Sequence, residues 1–274
     1  MAGEDIVIRV KGVYKTFGRQ KVLKGINLAV ERGKITVIIG KSGSGKSVLM
    51  KHLIGLLKPD KGEILVDEVD ISRLDESHLN DVRKRFGMLF QEAALFDSMT
   101  VEENVAFPVR EHTKLSDGEV GSLVDEKLRQ VGLVGFNDKM PSELSGGMKK
   151  RVGLARALAL DPEIVLFDEP TSALDPVISL TIEELIKKTQ MKLKKTYVVI
   201  SHDILGMFRI ADKVAMLYEG EIVAFGAPDE VRRSDLPAVK EFLEATRVPG
   251  FAIGHDSQEV ARPGSAAGGG AEPQ

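Results

Sequence analysis

Residues 40–47 are Gly40-Lys41-Ser42-Gly43-Ser44-Gly45-Lys46-Ser47 and fit the pattern G-x-x-x-x-G-K-[ST]. The run before them, Lys34–Ile39, predicts a buried strand, and the run after them, Lys46–Leu57, predicts a helix. Glycines in such a turn let successive backbone N–H groups face one anion, and the helix N-terminus adds its dipole. The stretch therefore predicts a phosphate-binding loop, with Lys46 beside the β- and γ-phosphates and the Ser47 hydroxyl on Mg²⁺.

A second motif lies far along the chain, where the apolar strand Ile164–Phe167 runs into Asp168 and Glu169. A buried strand can present Asp168 to the metal, and Glu169 is then placed to orient or deprotonate a water. Two carboxylates at a strand end can instead cap a helix, but a phosphate loop is already present to complement them. Together the two motifs predict nucleoside triphosphate hydrolysis or phosphoryl transfer.

Composition narrows the class of protein. The 274 residues include no cysteine, which excludes disulfides, thiolate zinc sites and cysteine nucleophiles. The net charge is −3, from 38 basic and 41 acidic residues, so the basic excess of a general nucleic-acid binder is missing. No apolar stretch approaches the roughly 18–20 residues of a membrane helix, and the acidic N-terminus does not resemble a leader. We expect a soluble chain in a reducing compartment that does not itself cross a bilayer.

Short β-branched runs alternate with helical periodicity, which is typical of an α/β fold. An antiparallel pair, Ile6–Val10 and Val22–Val30, is predicted to open the chain, with Gly18 near its turn. A hairpin is predicted over Lys213–Tyr218 and Glu221–Phe225. The other predicted strands are Ile64–Asp67, Met88–Phe90, Ile164–Phe167 and Thr196–Ile200, and an apolar stripe at 178, 182, 185 and 186 predicts a helix after Asp175.

The domain prediction is one domain over residues 5–245 with a helical insert at about 92–157. Residues 246–274 are predicted to be a tail that is partly disordered or docks on a partner, because 10 of residues 261–274 are Ala, Gly or Pro. Phe251 and Ile253 are either docking anchors or part of a frayed end.

Leu144-Ser145-Gly146-Gly147-Met148 precedes the predicted helix Lys149–Leu160, and here the sequence resembles the ATP-binding cassette (ABC) ATPases, whose signature is LSGGQ. The resemblance implies a P-loop NTPase fold of ABC type, with a mixed-sheet core, an N-terminal antiparallel β-subdomain and an inserted helical subdomain. It also implies a head-to-tail homodimer that sandwiches two ATP molecules, with Ser145, Gly146, Gly147 and Asp175 acting on the partner's nucleotide.

Further landmarks of the family follow in order along the chain. Gln91 matches the Q-loop glutamine, Ser172–Asp175 the D-loop and His202 the switch histidine, while Phe17 matches the aromatic residue that stacks on adenine, with Tyr14 as the weaker candidate. The resemblance assigns catalysis to Glu169, His202, Gln91 and Lys46, nucleotide binding to Phe17 and residues 40–47, and Mg²⁺ binding to Ser47, Gln91 and Asp168.

Met148 departs from the signature glutamine, because a thioether cannot replace the donors of an amide. The change is either tolerated drift or the mark of a branch. Together with Phe90-Gln91, residues 94–101 and residues 103–108, it resembles the ATPases of Mla-type, MCE-linked phospholipid transporters. That resemblance implies a peripheral subunit on the cytoplasmic face of the bacterial inner membrane, with a permease similar to MlaE and an MCE-domain protein as partners.

Segment 92–108 matches the region where a permease coupling helix docks in the family. Its apolar members, Leu95, Phe96, Val105 and Phe107, belong either to that groove or to the subdomain core. The basic run Lys149–Arg151 is interpreted as a solvated helix face, in preference to a contact with lipid headgroups or the permease.

Three alternative functions are compatible with part of this sequence evidence. An importer ATPase for amino acids or metals would share the fold and differ in cargo. A non-transport ABC protein usually carries two cassettes or a coiled-coil insertion, and a P-loop kinase would not need LSGGM or a D-loop. The phospholipid transport hypothesis is preferred because of Met148 and residues 90–108.

Overall fold

A computed structural model describes residues 5–245, which form two β-sheets surrounded by helices. The strands are β1 (Ile6–Phe17), β2 (Gln20–Glu31), β3 (Ile35–Ile39), β4 (Lys61–Val66), β5 (Val69–Asp70), β6 (Phe86–Leu89), β7 (Ile164–Asp168), β8 (Thr196–Ser201), β9 (Lys213–Tyr218) and β10 (Glu221–Gly226). The helices are α1 (Lys46–Leu53), α2 (Glu76–Arg83), α3 (Val101–His112), α4 (Asp117–Gln130), α5 (Gly146–Ala157), α6 (Pro176–Leu193), α7 (Ile204–Ile210), α8 (Pro228–Arg232) and α9 (Pro237–Ala245). Short 3₁₀ helices span Ile71–Arg73 and Pro141–Glu143.

The first sheet is antiparallel, with strand order β2-β1-β4-β5. The second has the order β10-β9-β3-β8-β7-β6, and its pairs are parallel except for β9 with β10. A mixed sheet beside an N-terminal antiparallel sheet confirms the predicted α/β fold class. Between β6 and β7 the chain forms α3, α4 and α5, which pack on one another.

The second sheet is buried on both faces. Every residue of β3 and of β8 is buried, which explains why these strands are continuous β-branched runs in sequence rather than an alternating pattern. One core cluster lies on the face covered by α3 to α6, and the other lies between this sheet, α1 and the first sheet. Because β3, β8 and β7 are parallel neighbours, the segments that follow them meet at one edge of the sheet.

Several boundaries differ from the sequence prediction. The strands β1 and β2 have 12 residues each, so the pair is longer than predicted. Register shifts interrupt the pairing at several points. The helix predicted to reach Leu57 ends at Leu53, because Gly55 adopts φ +66°, which terminates the helix. The strand β5 and the helices α2, α7, α8 and α9 have no counterpart in the sequence prediction. The turn at Gly18 and the hairpin of β9 and β10 are confirmed.

Within the described residues, no helix combines the length and apolar character that crossing a membrane requires. The predicted tail, including Phe251 and Ile253, lies outside the described residues.

Candidate active site

The phosphate-loop sequence connects β3 to α1. Gly45 precedes the helix at φ +106°, a conformation that side chains with a Cβ rarely adopt. Among residues 5–245, no side chain caps the start of α1, so the first-turn N–H groups have no side-chain acceptor in this part of the chain. A helix N-terminus in this state attracts anions, which fits the predicted contact with phosphate.

Lys46 is the cation of this loop and is only 7% exposed. Its amine donates hydrogen bonds to the carbonyls of Gly40, at 2.8 Å, and Lys41, at 3.1 Å. Burial lowers the pKa of Lys46, and the nearby charges of Glu169 and Asp168 oppose that shift. The loop therefore holds a largely desolvated positive charge beside its own backbone.

Asp168 ends β7 and has one buried oxygen, Oδ1, without a hydrogen-bond partner among the described residues. Burial raises the pKa of Asp168, and the charge of Glu169 adds to the effect. Because an unpaired buried carboxylate oxygen is costly, the position is suited to a bound cation. No group of three or more His, Asp or Glu side chains that could hold a metal occurs in residues 5–245, so a cation here would rely on phosphate and water oxygens as well.

Glu169 turns the chain from β7 towards the neighbouring strand. Its φ is +48°, a left-handed conformation that costs a non-glycine residue on the order of 1 kcal/mol. Its N–H donates to the carbonyl of Ile200 at 2.9 Å. Its Oε2 lies 2.7 Å from His202 Nδ1 and accepts the His202 backbone N–H at 3.2 Å. The turn thus aims the carboxylate at the histidine that follows β8.

A cavity of about 580 Å³ opens between these elements. It is lined by Val22, Ser42, Gly43, Gly45, Lys46, Ser47, Val48, Gln91, Glu169 and His202. The structure therefore brings together the four side chains predicted for catalysis and most of the phosphate loop. Val22 and Val48 line the cavity without having been predicted, since a lone valine carries no chemical signal.

The remaining predicted residues lie beside this cavity or away from it. Gly40 packs against β9, where a Cβ would lie 2.2 Å from the Leu217 carbonyl oxygen, and Ser44 has a buried hydroxyl without a partner among the described residues. The Lys41 amine pairs with Glu241 of α9 at 2.6 Å. Phe17 ends β1 with 45% of its surface exposed and is not among the lining residues.

The signature residues begin α5 and do not line the cavity of their own chain. The Ser145 hydroxyl accepts the N–H of Met148 at 3.3 Å and so caps the helix. Gly147 is buried, and a Cβ there would lie 2.6 Å from the side chain of Ile178 on α6. Asp175 caps α6 by accepting the N–H groups of Val177 and Ile178.

The interpretation of Lys149–Arg151 as a solvated face is wrong for Lys150, which is 6% exposed. Its amine donates to the backbone carbonyls of Gln91 and Glu169. The reason is helical geometry, because position 150 lies three residues after Gly147 and four before Leu154, both buried. This spacing of apolar and small residues is the feature of the sequence that could have predicted the burial of Lys150. Arg151 donates to the Val131 carbonyl at 3.3 Å.

The apolar members of segment 92–108 divide between core and surface. Val105 is fully buried, and Leu95 packs partly against the same core cluster. Phe96 is 42% exposed, and its ring centroid lies 4.8 Å from that of Phe107. Both rings line a groove of about 470 Å³ bounded by Phe86, Gly87, Met88, Phe90, Ala94, Phe96, Phe107, Pro108, Arg156, Ala157 and Leu160. We call this surface the aromatic groove.

The chain is similar to known proteins in both sequence and fold. The family described as ABC transporter matches residues 23–172. The chain is 44% identical over 238 residues to the intermembrane phospholipid transport system ATP-binding protein MlaF of Haemophilus influenzae, covering 87% of this chain and 90% of that protein. It is 42% identical over 254 residues to the probable ribonucleotide transport ATP-binding protein mkl of Mycobacterium leprae, covering 93% of this chain and 73% of that one.

One solved structure similar to this chain is a dimeric ATP-binding cassette in a post-hydrolysis state, bound to ADP and phosphate. The TM-score is 0.74 at 34% identity, over 81% of this chain and 98% of that one.

Proposed function

The chain belongs to the ABC transporter family, and from that premise we propose that it is the ATPase subunit of a phospholipid transporter. In this proposal it binds peripherally at the cytoplasmic face of the bacterial inner membrane and drives a separate permease. ATP hydrolysis is the activity of the family. The observation that carries the ATPase role is the convergence of Lys46, Gln91, Glu169 and His202 on one cavity.

The chain's own residues suggest how the reaction proceeds. The Lys46 amine and the N–H groups of the loop hold the β- and γ-phosphates. The Glu169 carboxylate orients the attacking water and accepts its proton, since a carboxylate held close to the nucleophile acts as a general base. His202 fixes that carboxylate through its Nδ1 contact at 2.7 Å and, with Gln91, positions the γ-phosphate.

Ser47, Gln91 and Asp168 are proposed to hold Mg²⁺, and the unpartnered Oδ1 of Asp168 supports this donor set. When bound, the ion neutralises charge that develops on the phosphate oxygens. The hydroxyl, amide and carboxylate of the three residues are all oxygen donors, which is the chemistry Mg²⁺ prefers.

The proposed working form is a head-to-tail homodimer in which Ser145, Gly146, Gly147 and Asp175 complete the partner's site. Two observations support it. These residues do not line the cavity of their own chain, and a similar cassette forms a dimer. A serine and two glycines at a helix start make a second anion cradle, which one chain does not need for its own γ-phosphate.

The aromatic groove is proposed to receive the permease. It presents Phe96 and Phe107 beside the Q-loop, so a bound helix would contact the segment that carries Gln91. An MCE-domain protein is proposed as the third component of the complex. The cargo assignment rests on the similarity to MlaF and on Met148, while the name of the mycobacterial relative makes a ribonucleotide the competing cargo.

Native purification tests this proposal. The tagged full-length chain is isolated from bacterial membranes in mild detergent, and the bound proteins and small molecules are identified by mass spectrometry. We expect a multispanning permease, an MCE-domain protein and enriched phospholipid. Recovery with a permease of another transporter class, without lipid above the detergent background, would contradict the assignment.

A further inference from the structure

Lys150 links three parts of the molecule that the proposed mechanism treats separately. It lies in α5, shortly after the signature residues that begin this helix. Its amine donates to the carbonyl of Gln91, which follows β6, and to the carbonyl of Glu169 at 3.2 Å. One buried side chain therefore joins the signature helix, the Q-loop and the catalytic turn.

At the catalytic turn, the contact falls on a strained residue. Glu169 has φ +48°, and such a conformation persists only where several contacts hold it. Its carbonyl accepts the Ser172 N–H at 3.1 Å, the Ser172 hydroxyl at 2.9 Å and the Lys150 amine at 3.2 Å. Ser172 belongs to the same turn, so Lys150 is the contact in this set that comes from α5.

At the Q-loop, α5 holds the backbone at a second point. Ala93 and Ala94 also have positive φ, at +60° and +46°. The Arg156 guanidinium donates to the carbonyls of both, at 2.7 and 2.8 Å. With Lys150 bound to the Gln91 carbonyl, two cations of one helix hold this loop, so a shift of α5 is transmitted to Gln91.

We propose that Lys150 is a positioning residue that couples the signature end of α5 to Gln91 and Glu169 of the same chain. When Ser145–Gly147 bind the partner's nucleotide, α5 takes up a defined position. Lys150 then fixes the position of the Glu169 backbone through its hydrogen bond to the Glu169 carbonyl. In this way, binding of the partner's nucleotide by the signature residues of one chain influences Gln91 and Glu169 of that same chain through α5. The inference rests on the proposed roles of Glu169, Gln91 and the signature residues.

The test replaces Lys150 with Met, which has similar length and no donor, in the full-length chain. ATP turnover is measured in the preparation, isolated or membrane-associated, in which the unmodified chain is active. We expect kcat to fall about ten-fold or more, as for the loss of charged hydrogen bonds, while KM for ATP and Tm change little. Lys149→Met, on the adjacent half-buried position, is the matched control and keeps the unmodified kcat.

Two further variants keep the test decisive. Lys150→Arg retains the charge and the donors and should keep most of kcat. Lys150→Gln retains an amide donor without the charge, and its kcat should lie between those of the Arg variant and the Met variant. These two variants test the role of Lys150 even if the Met variant does not fold. An unmodified kcat in the soluble Lys150 variants overturns the inference. So does a parallel loss of kcat, ATP affinity and Tm that Arg does not rescue. Glu169→Gln is assayed alongside, since unimpaired turnover there would refute the proposed role of Glu169 and not the placement of Lys150.

Discussion

Glu169 illustrates at the scale of a single residue how local strain and chemistry coincide. Its left-handed backbone turns the chain at the end of β7, and its carboxylate meets His202, which follows the adjacent strand β8. Glycine would adopt this φ more easily, so the side chain is retained at a conformational cost. Such a cost is characteristic of functional positions, where surrounding contacts hold the strained residue.

Glu169→Gln should abolish turnover and preserve nucleotide binding. The amide keeps the size of the side chain but cannot accept the proton of water, so kcat should fall by about 10²–10⁴-fold. ATP affinity should stay within about three-fold, because Lys46 and the loop are unchanged. The comparison uses Glu221→Gln, the same change at an exposed position of β10. Near-normal hydrolysis by Glu169→Gln would refute the proposed role.

Glu183 offers a second test, of pH dependence, at a residue outside the proposed mechanism. It is 2% exposed, and Arg209 donates to its Oε2 at 2.7 Å. Burial raises the pKa of Glu183 above its ordinary 4.5, Arg209 opposes the shift, and Asp203 adds to it. Because the folded chain holds this proton more tightly than the unfolded chain, the contribution to stability is fully present at pH values below the unfolded-state pKa of Glu183. It is lost as the pH rises through the folded-state pKa.

Glu183→Gln removes this titration, so its free energy of unfolding relative to the unmodified chain should increase from about pH 5 to about pH 8. Denaturant unfolding at the two pH values measures the difference. Glu184→Gln, at the neighbouring position that pairs with Lys188 on the surface, is the matched control and should show little dependence. A pH-independent difference for Glu183→Gln would contradict the assigned shift.

Residues whose chemistry depends on sequence spacing could be predicted, and residues whose chemistry depends on tertiary packing could not. The positions of Lys46 and Ser47 follow from the loop pattern. Helical spacing from the buried residues Gly147 and Leu154 marks Lys150 as an inward-facing position of α5. Its two acceptors, the backbone carbonyls of Gln91 and Glu169, depend on tertiary packing and could not be predicted. The positive φ of Glu169 likewise has no sequence signature, because Glu is not a residue that favours it.

At the scale of elements, the loop from Gln91 to Thr100 shapes the aromatic groove. The Asn104 side chain binds this loop from α3, accepting the Phe96 N–H at 2.9 Å and donating to the carbonyls of Phe96 and Met99 at 3.1 Å. The groove is therefore held open by internal hydrogen bonds. A preformed groove loses little entropy on binding a helix.

Phe96→Glu should reduce co-purification of the permease at least about ten-fold, because it removes an exposed aromatic ring from the docking surface and places a charge beside the apolar side chains there. ATP binding should be unchanged, since Phe96 does not line the nucleotide cavity. The control is Phe225→Glu on β10, where the ring is 43% exposed against 42% for Phe96. Equal recovery of the permease with both variants would place its docking site elsewhere.

Among the elements, the buried strands were predicted correctly, whereas the ends of some elements and the existence of the shortest ones were not. The strands β3, β7 and β8 are apolar runs that are buried on both faces, which a sequence pattern expresses directly. By contrast, β5 has two residues, and α8 has five, too few for any periodicity to be visible. The early end of α1 depends on the conformation of Gly55 rather than on hydrophobic pattern.

At the scale of the whole molecule, the proposed dimer explains why the signature residues lie outside their own chain's cavity. Ser145→Arg introduces a bulky cation at this helix start. In a Glu169→Gln background, it should prevent ATP-dependent dimerisation, measured by sedimentation velocity. ATP binding by the monomer should persist, because the cavity is formed without Ser145. An ATP-dependent dimer that forms equally well with and without the Ser145→Arg change would contradict the head-to-tail arrangement.

ATP hydrolysis by this chain is proposed to move phospholipid, and reconstitution of the complex measures that movement. The complex isolated from membranes is placed in liposomes that contain fluorescent phospholipid, and lipid transfer is followed with ATP supplied to the chain. Transfer that requires ATP and disappears with Glu169→Gln is the predicted result. Unchanged lipid transfer with Glu169→Gln, or ATP-driven movement of ribonucleotide without lipid, would contradict the proposed function.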